Sequence, residues 1–169
     1  MKKTVLTLCM IHNDTHILLG RKKRGLGVGF WNGFGGHVEE GETIEQAAVR
    51  EVGEEVGIMP RGLRKRGVLN FEIKTYPELL EVHVFSAPEF AGEPRASEEM
   101  EPHWFSQGEI PYDQMWKDDR YWLPLLLAGK NFAGAFYFKD NNTLVRHIIH
   151  EIKHEIKGEV EKTPKSYIV

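Results

Sequence analysis

Apolar and β-branched residues fall in short runs along the chain, separated by glycine, proline, asparagine and aspartate. Runs of this kind, bounded by turn residues, are typical of β-strands. The turn residues include Asn13-Asp14, Pro77 and Asn141-Asn142, while the polar segment 89–99 with its Pro94 predicts a loop. The predicted strands span residues 4–11, 16–20, 61–74, 79–87, 103–105 and 131–139.

A helical period replaces this pattern over residues 44–56 and predicts an α-helix there. Thr43 is a good N-cap residue, and Gln46 three positions later completes a capping box. Gly57 suits the left-handed conformation that ends many helices, and Ile58 provides the apolar contact that follows it. The predicted apolar stripe of this helix consists of Ala48, Val49, Val52 and Val56.

A second helix is predicted over residues 118–127, because acidic residues at its start would favour the positive end of the helix dipole. Pro124 lies inside this segment and is expected to kink the helix. Strands and helices follow one another here without a repeated β-α-β unit. This order predicts an α+β fold, formed as a single domain over residues 1–169.

Composition is ordinary for a globular domain, with 41% hydrophobic and 28% charged residues. A formal net charge of −3 argues against a general nucleic-acid-binding protein. The single cysteine, Cys9, excludes an internal disulfide and lies in an apolar run. Because we find neither a membrane-spanning run nor a signal peptide, we expect no membrane partner. The expected location is cytoplasmic, with the nucleus and the mitochondrion as alternatives.

Three carboxylates, Glu51, Glu54 and Glu55, form a strip beside the apolar stripe of the first helix. Arg50 is placed to pair with Glu54 four residues later. Carboxylates packed this closely repel one another, and a divalent cation such as Mg²⁺ would relieve the repulsion. Glycines in the preceding segment 33–36 let the backbone approach a metal or a phosphate. The alternative is a glutamate-rich, solvated helix face, and these residues alone leave both interpretations open.

A second metal-like pattern lies near the C-terminus. His150-Glu151-Ile152-Lys153-His154 matches the H-E-x-x-H pattern of zinc proteases, in which both histidines share a helix face. A third ligand is usually required, and few residues follow His154 to supply it. Charged residues dominate the segment 151–165, which favours a solvated terminal helix over a zinc site.

The glycine segment and the first helix together resemble the Nudix box at every fixed position of that motif. The resemblance implies a Nudix fold, in which a mixed central β-sheet is sandwiched between α-helices. It also implies hydrolysis of a nucleoside diphosphate linked to another group, with Mg²⁺ as the cofactor and Mn²⁺ as a substitute ion. The matching positions are Gly36, Glu42, Arg50, Glu51, Val52, Glu54, Glu55, Gly57 and Ile58.

Over residues 4–139 the chain is also similar to the oxidised purine nucleoside triphosphate hydrolases of animals. That similarity implies a monomer that converts 8-oxo-dGTP, 2-hydroxy-dATP and related modified triphosphates, N6-methyl-dATP included, to monophosphate and pyrophosphate. It implies sanitation of the nucleotide pool and no stable binding to nucleic acids. Residues 139–169 form a divergent C-terminal extension, expected to contain a strand and a helix. The similar motifs lie at residues 18–25, 31–36, 82–85, 115–119 and 122–125.

The resemblance further implies roles for individual residues. Catalysis would involve Arg50, Glu51, Glu54 and Glu55, with either Glu54 or Glu55 as the general base. Metal ligands would be the carbonyl group of Gly36 and the carboxylates of Glu51, Glu54, Glu55 and Glu99. The substrate would be bound by Thr7, Lys22, Asn32, Gly35, Gly36, Phe71, Met100, Trp116, Asp118, Asp119, Trp122 and Phe138.

The chemistry of these residue types supports a base pocket. Trp116 can stack on a purine, and the Asn32 amide offers both a donor and an acceptor. Asp118 and Asp119 cannot both ionise cheaply in an apolar pocket, so one is expected to hold a proton. Such a pair offers one donor and one acceptor, and moving the proton would let one pocket read different bases. As alternatives, the aspartates cap a helix, and Trp116 and Trp122 belong only to the core.

Three pocket positions depart from the animal enzymes. Leu26 and Leu80 stand in place of an aromatic residue and a methionine, and Ile73 replaces another aromatic residue. A smaller, less polarisable wall should loosen base stacking and change the ranking of substrates. Two other functions stay open. One is Nudix hydrolysis of a dinucleoside polyphosphate or a capped RNA, and the other is a non-catalytic, nucleotide-binding Nudix module.

Overall fold

Ten strands and two α-helices make up the part of the chain that the computed structural model describes, residues 1–154. Two single turns of 3₁₀-helix, Gln107–Glu109 and Tyr112–Gln114, precede the second α-helix. The strands are β1 Lys3–His12, β2 His16–Lys22, β3 Trp31–Asn32, β4 Met59–Arg61, β5 Arg64–Ile73, β6 Leu79–Ala87, β7 Glu89–Ala91, β8 Met100–Ser106, β9 Asn131–Asp140 and β10 Thr143–Ile152. The helices are α1 Ile44–Val56 and α2 Asp119–Leu127.

Eight of the strands in residues 1–154 form one mixed sheet, in the order β10-β9-β5-β6-β1-β2-β3. The eighth strand, β8, pairs with β2, which also pairs with β1 and β3. The pairs β1–β6 and β5–β9 are parallel, and the remaining pairs are antiparallel. The two short strands β4 and β7 form a separate antiparallel ribbon. The mixed central sheet that the sequence predicted is therefore confirmed.

Each helix packs on a different face of the sheet, because successive side chains of a strand point to opposite faces. Cys9 and Phe85 pack in a cluster with Val52 of α1. Their neighbours in the chain, Met10 and Val84, pack in another cluster with Trp122 of α2. The predicted sandwich of a sheet between helices is thus confirmed.

The bounds predicted for the first helix are confirmed at both ends. The Thr43 side chain accepts a hydrogen bond from the backbone N–H of Gln46 at 3.1 Å, and the Gln46 side chain accepts one from the N–H of Thr43 at 2.9 Å. Gly57 follows the helix with a φ of 73°, and Ile58 is buried against it. Local sequence therefore fixes where α1 starts and stops.

Two predictions in the middle of the chain were wrong in detail. The single strand predicted over residues 61–74 is divided into β4 and β5, because Gly62 turns the backbone with a φ of 66°. Part of the predicted loop 89–99 is strand β7, which pairs with β4. Each of these strands has three residues, which is too short to show an alternating pattern.

The helix predicted over residues 151–165 was also wrong where the structure describes it. Glu151 and Ile152 end strand β10, which pairs along its length with β9; residues 155–165 lie outside the described residues. His150 is therefore on a strand and does not share a helix face with His154. Neither α-helix described in residues 1–154 has the length and apolar character needed to cross a membrane.

Candidate active site

A cavity of about 560 Å³ runs between helix α1, the glycine segment after β3 and the α2 face of the sheet. It brings together most of the site residues predicted from the sequence. Four carboxylates line one part of it, namely Glu51, Glu54, Glu55 and Glu99. The other predicted residues in its lining are Thr7, Lys22, Asn32, Gly35, Gly36, Phe71, Met100, Trp116, Asp118 and Asp119.

Three predicted residues lie behind the lining that the described residues form. Trp122 is buried, and its indole Nε1–H donates to Oδ2 of Asp118 at 2.8 Å. Phe138 is also buried and meets the ring of Trp116 edge-on, with centroids 5.5 Å apart. Arg50 lies outside the cavity beside its glutamates. All three residues therefore support side chains of the cavity wall.

Sequence reasoning did not assign several residues of the cavity wall. Leu6 and Leu8 flank Thr7 on β1, and Val82 follows Leu80 at a spacing of two on β6. The period of two could have indicated Val82 from Leu80, whereas Leu6 and Leu8 point to the opposite face of the strand from Thr7 and could not have been found from it. Tyr76 lies in the turn between β5 and β6, where no pattern points to a cavity. The remaining unassigned wall residues are Gly33 and His37, whereas Leu26, Ile73 and Leu80 lie in the wall as the departures from the animal family suggested.

Gly35 and Gly36 pack too closely against their neighbours for a side chain. A Cβ atom on Gly35 would overlap the carbonyl oxygen of Thr7, and one on Gly36 would lie 2.5 Å from Oε1 of Glu51. The backbone N–H of Thr7 donates to the carbonyl oxygen of Gly36 at 2.8 Å. The glycines thus seat the loop between strand β1 and the carboxylates of α1.

Arg50 holds these carboxylates in place. Its Nε and Nη2 atoms donate to the two carboxylate oxygens of Glu42, at 3.0 and 2.7 Å. Its Nη1 atom donates to Glu51 at 3.0 Å and to Glu54 at 3.2 Å, as the spacing of four predicted for Glu54. A fifth hydrogen bond runs from Nη2 to the carbonyl oxygen of His37 at 2.9 Å. The guanidinium group therefore ties helix α1 to the loop that precedes it.

Glu55 is buried beside a backbone amide. Its Oε1 atom accepts a hydrogen bond from the N–H of Gly35 at 2.9 Å, and the residue is 3% exposed. Burial raises the pKa of Glu55 to about 8, with repulsion from Glu51 and Glu99 acting in the same direction and the Gly35 bond and Lys22 opposing it. Burial also raises the pKa of Glu51, against the effect of Arg50. Negative charge is therefore concentrated here at a cost that a cation would relieve.

These donors fit a divalent cation that also binds water or phosphate. Within residues 1–154, no group of three or more histidine, cysteine, aspartate or glutamate side chains is arranged so that it could by itself hold a metal ion. Glu51 and Glu55 instead approach the Gly36 loop from α1, and the Gly36 carbonyl keeps a second lone pair beside its bond from Thr7. An oxygen donor set with open positions is what Mg²⁺ or Mn²⁺ would meet in such a site.

Asp118 and Asp119 form the polar part of the other end of the cavity. Both are buried, and within residues 1–154 neither Oδ1 of Asp118 nor Oδ2 of Asp119 has a hydrogen-bond partner. Burial raises the pKa of Asp118 to about 6, against the bond from Trp122. Burial and the charge of Asp118 raise the pKa of Asp119 well above its ordinary range. Two such buried neighbours cannot both ionise cheaply, so the pair favours sharing one proton over carrying two negative charges.

The alternative interpretations of these residues fit the structure less well. Asp118 does stand at the N-cap of α2, but in the described chain its side chain makes no capping hydrogen bond. Trp116 is partly exposed in the cavity, held edge-on by Phe30 and Phe138. Trp122, by contrast, is a core residue with 1% exposure.

A family model described as the NUDIX domain matches residues 2–126, and the chain belongs to the Nudix hydrolase family. Within the family, the chain is 49% identical to the oxidized purine nucleoside triphosphate hydrolase of Mus musculus over 146 residues, which are 86% of this chain and 94% of that protein. It is 48% identical to the protein of the same name from Danio rerio over 149 residues, 88% of this chain and 96% of that protein.

Solved structures agree with the fold. The MutT protein from Bacillus halodurans superposes with a TM-score of 0.78 over 86% of this chain and 97% of that chain, at 24% identity. A MutT Nudix hydrolase from Burkholderia pseudomallei superposes with a TM-score of 0.62 over 66% of this chain and 88% of that chain, at 31% identity. The likeness to the first structure concerns the fold alone.

Proposed function

We propose that this chain hydrolyses oxidised or otherwise modified purine nucleoside triphosphates to the monophosphate and pyrophosphate. The observation that carries this proposal is the cavity itself. Two buried aspartates with unpaired oxygen atoms, as residues 1–154 place them, lie in the same cavity as four glutamates. One end thus suits a polar base edge and the other a metal-bound phosphate chain. The two relatives that share nearly half of its residues carry the corresponding name.

The base end offers a complementary set of hydrogen-bonding groups. Asp119, whose pKa is raised well above its ordinary range, can donate a proton in a hydrogen bond at neutral pH. Asp118 stays an acceptor and is oriented by Trp122, while Asn32 adds an amide. A purine oxidised at position 8 carries N–H at N7, where the normal base has a lone pair. A carboxylate acceptor therefore distinguishes the two bases, and Trp116 provides a ring on which either can stack.

At the phosphate end, Glu51, Glu55 and the Gly36 carbonyl would hold Mg²⁺, or Mn²⁺ as a substitute, with Glu54 and Glu99 nearby. A bound divalent ion supplies charge neutralisation of the phosphates and a lowered pKa of bound water. Lys22 lies in the same wall and adds a positive charge for the phosphate chain. Arg50 keeps the glutamates oriented, and the Gly35 N–H holds Glu55. Positioning and charge then supply most of the rate.

Either Glu54 or Glu55 serves as the general base in this proposal. Glu55 is buried and held by the N–H of Gly35. Glu54 is exposed to solvent and bound by Arg50. We further propose that the protein acts as a monomer in the cytoplasm on free nucleotides rather than on nucleic acids, which its net charge of −3 supports.

Product analysis tests the proposed function. The purified protein is incubated with Mg²⁺ and 8-oxo-dGTP, 2-hydroxy-dATP or N6-methyl-dATP, and products are separated by anion-exchange chromatography. We expect monophosphate and pyrophosphate in equal amounts, and no turnover with excess EDTA. Orthophosphate as the product would contradict the proposal. So would turnover of only dinucleoside polyphosphates or capped RNA, the other substrate classes of a Nudix enzyme, or binding of nucleotides without any turnover.

A further inference from the structure

His83 is a buried residue of β6 that the proposed chemistry does not use. It is fully buried, and its Nε2 atom lies 2.9 Å from Oε1 of Glu81. The other oxygen of Glu81 accepts a hydrogen bond from the ammonium group of Lys3 at 2.9 Å. Lys65 adds a second positive charge near this group. A fully buried histidine within such a network has a defined proton position.

The carboxylate fixes which nitrogen of His83 carries the proton. Burial by itself raises the pKa of Glu81, but the bonds from Lys3 and His83 outweigh it and leave that pKa below its ordinary value, so Glu81 is ionised and can only accept. Burial lowers the pKa of His83, against the Glu81 bond, so the ring is neutral at pH 7. Its proton must therefore be on Nε2, and Nδ1 is an acceptor that needs a donor.

Thr7 is a neighbour with an unused donor. Thr7 of β1 is the direct partner of His83 in the parallel β1–β6 register, so their side chains leave the sheet on the same face. Both residues are buried, and Oγ1 of Thr7 and Nδ1 of His83 are two of the buried atoms in residues 1–154 that lack a hydrogen-bond partner. Strands about 4.8 Å apart leave room for a direct bond after a small rotation, or for one bridging water.

Thr7 in turn supports the Gly35-Gly36 loop. Its N–H donates to the carbonyl oxygen of Gly36, the proposed metal ligand, at 2.8 Å. Its own carbonyl oxygen packs so closely on Gly35 that no Cβ atom would fit there. Gly35 also donates to Glu55. A change in the position of Thr7 is thus passed to both the loop carbonyl and a catalytic carboxylate.

We propose that His83 is a positioning residue that accepts a hydrogen bond from the Thr7 hydroxyl, directly or through one water, and so fixes the Gly35-Gly36 loop for catalysis. The chain of contacts is Lys3–Glu81–His83–Thr7–Gly36. His83 itself does not touch the substrate. This inference rests on the proposed function for the identity of the substrate but not for the contacts.

Two substitutions of His83 separate its two nitrogens. His83→Gln keeps an ε-amide that can donate to Glu81 and loses the acceptor at the δ position, whereas His83→Asn keeps a δ acceptor and loses the contact with Glu81. We expect kcat to fall about tenfold in His83→Gln with KM within about threefold of wild type, and to fall less in His83→Asn. A role confined to the Glu81 contact predicts the reverse order and would overturn the proposal.

A double-mutant cycle with Thr7→Val completes the kinetic test. This variant keeps the side-chain shape and removes only the hydroxyl group, and it leaves β6 untouched if His83→Gln fails to fold. We expect the double variant to be no slower than the slower single variant, since both remove the same link. Effects that multiply, or a wild-type kcat in folded Thr7→Val, would overturn the proposal.

Amide hydrogen exchange gives a readout that needs no substrate. We expect faster exchange of the Thr7 amide in metal-free His83→Gln than in wild type. The control is Ser86→Ala on β6, the strand of His83. It removes a partly buried hydrogen bond that Arg66 of β5 donates, and it should leave both exchange at Thr7 and kcat unchanged. Unchanged exchange in His83→Gln would contradict the proposal. If the wild type cleaves another nucleotide instead, the proposed function fails, and the same cycle is measured on that nucleotide.

Discussion

At the scale of residues, the candidate site contains buried acidic side chains whose ionisation lowers the stability of the fold. Glu55 and Asp119 are buried acids whose pKa values are raised, and both lie in one cavity. Raised pKa values of this kind are typical of functional sites, because a core built only for stability would avoid them. The Gly35 N–H and Lys22 oppose the rise at Glu55, and the indole N–H of Trp122 opposes it at the two aspartates.

Glu55→Gln tests the catalytic end. The glutamine keeps an oxygen that can accept the Gly35 N–H, but it cannot accept a proton or bind a cation strongly. We expect kcat to fall about a hundredfold or more, with an unchanged circular dichroism spectrum. Glu45→Gln, an exposed change in the first turn of the same helix, is the matched control and should keep wild-type kcat. Near-wild-type turnover in Glu55→Gln would remove this residue from the mechanism.

Asp118→Asn tests whether buried Asp118 lowers the stability of the folded state when it ionises. Because the pKa of Asp118 rises to about 6 on folding, the folded state binds its proton more tightly than the unfolded state. The cost to stability therefore grows as pH rises from about 4 to about 6 and stays constant above that. Asparagine can still accept the Trp122 bond and carries no charge.

We expect Asp118→Asn to raise the Tm by a few degrees at pH 8 and to change it little at pH 4, measured by thermal unfolding. The same variant should lose catalytic preference for modified bases. Lys117→Gln, beside this pair in the chain, is a control for removing a charge that is only half-buried. An equal change in Tm, relative to wild type, at both pH values would show that ionised Asp118 does not destabilise the folded state.

Much of the candidate site could be proposed from the sequence, but mainly through the family resemblance. Glu51, Glu54 and Glu55 alone left a solvated helix face open, and the Asp118-Asp119 pair was proposed by matching positions. Tyr76 became part of the cavity only because the β5–β6 turn folds over it, and Trp122 lies behind the wall because its helix turns it inward. Which of these side chains reach the cavity depends on tertiary packing.

At the scale of elements, helix α1 carries the carboxylates proposed for catalysis, and its start is fixed by the capping box of Thr43 and Gln46. Thr43→Ala removes the side-chain acceptor for the Gln46 N–H. We expect the free energy of unfolding to fall by about 1 kcal/mol, measured by urea denaturation, with kcat nearly unchanged. Thr43→Ser keeps the acceptor and is the control. A kcat loss as large as that of Glu55→Gln would mean that the cap acts on catalysis itself.

Elements differ in how far their own sequence determines them. The bounds of α1 and β6 were predicted because caps and alternation are local. Strands β4 and β7 were missed because each depends on pairing with the other across many residues. A strand was expected in the C-terminal extension, but the end of β10 was taken as helix because the charged segment from Glu151 to His154 is compatible with a helix until β9 is present as its partner.

At the scale of the whole molecule, the parallel pairing of β1 with β6 brings the ends of the site together. It places Thr7 beside His83, while the register of β5 on β6 places Phe71 beside Leu80. Pairings between segments this distant leave no local pattern, so the order of the sheet could not be read from the sequence without the family resemblance. The fold thus joins the proposed metal-binding helix to a proposed base pocket built from other strands.

The selectivity of the wild-type enzyme tests the central claim most directly. The measurement is the ratio of kcat/KM for 8-oxo-dGTP to that for dGTP, at pH 7 with saturating Mg²⁺. Because buried Asp118 and Asp119 would be left unpaired by the normal base, we expect a ratio of about a hundred or more. A ratio near one, with slow turnover of both nucleotides, would contradict the claim that this cavity reads a modified purine.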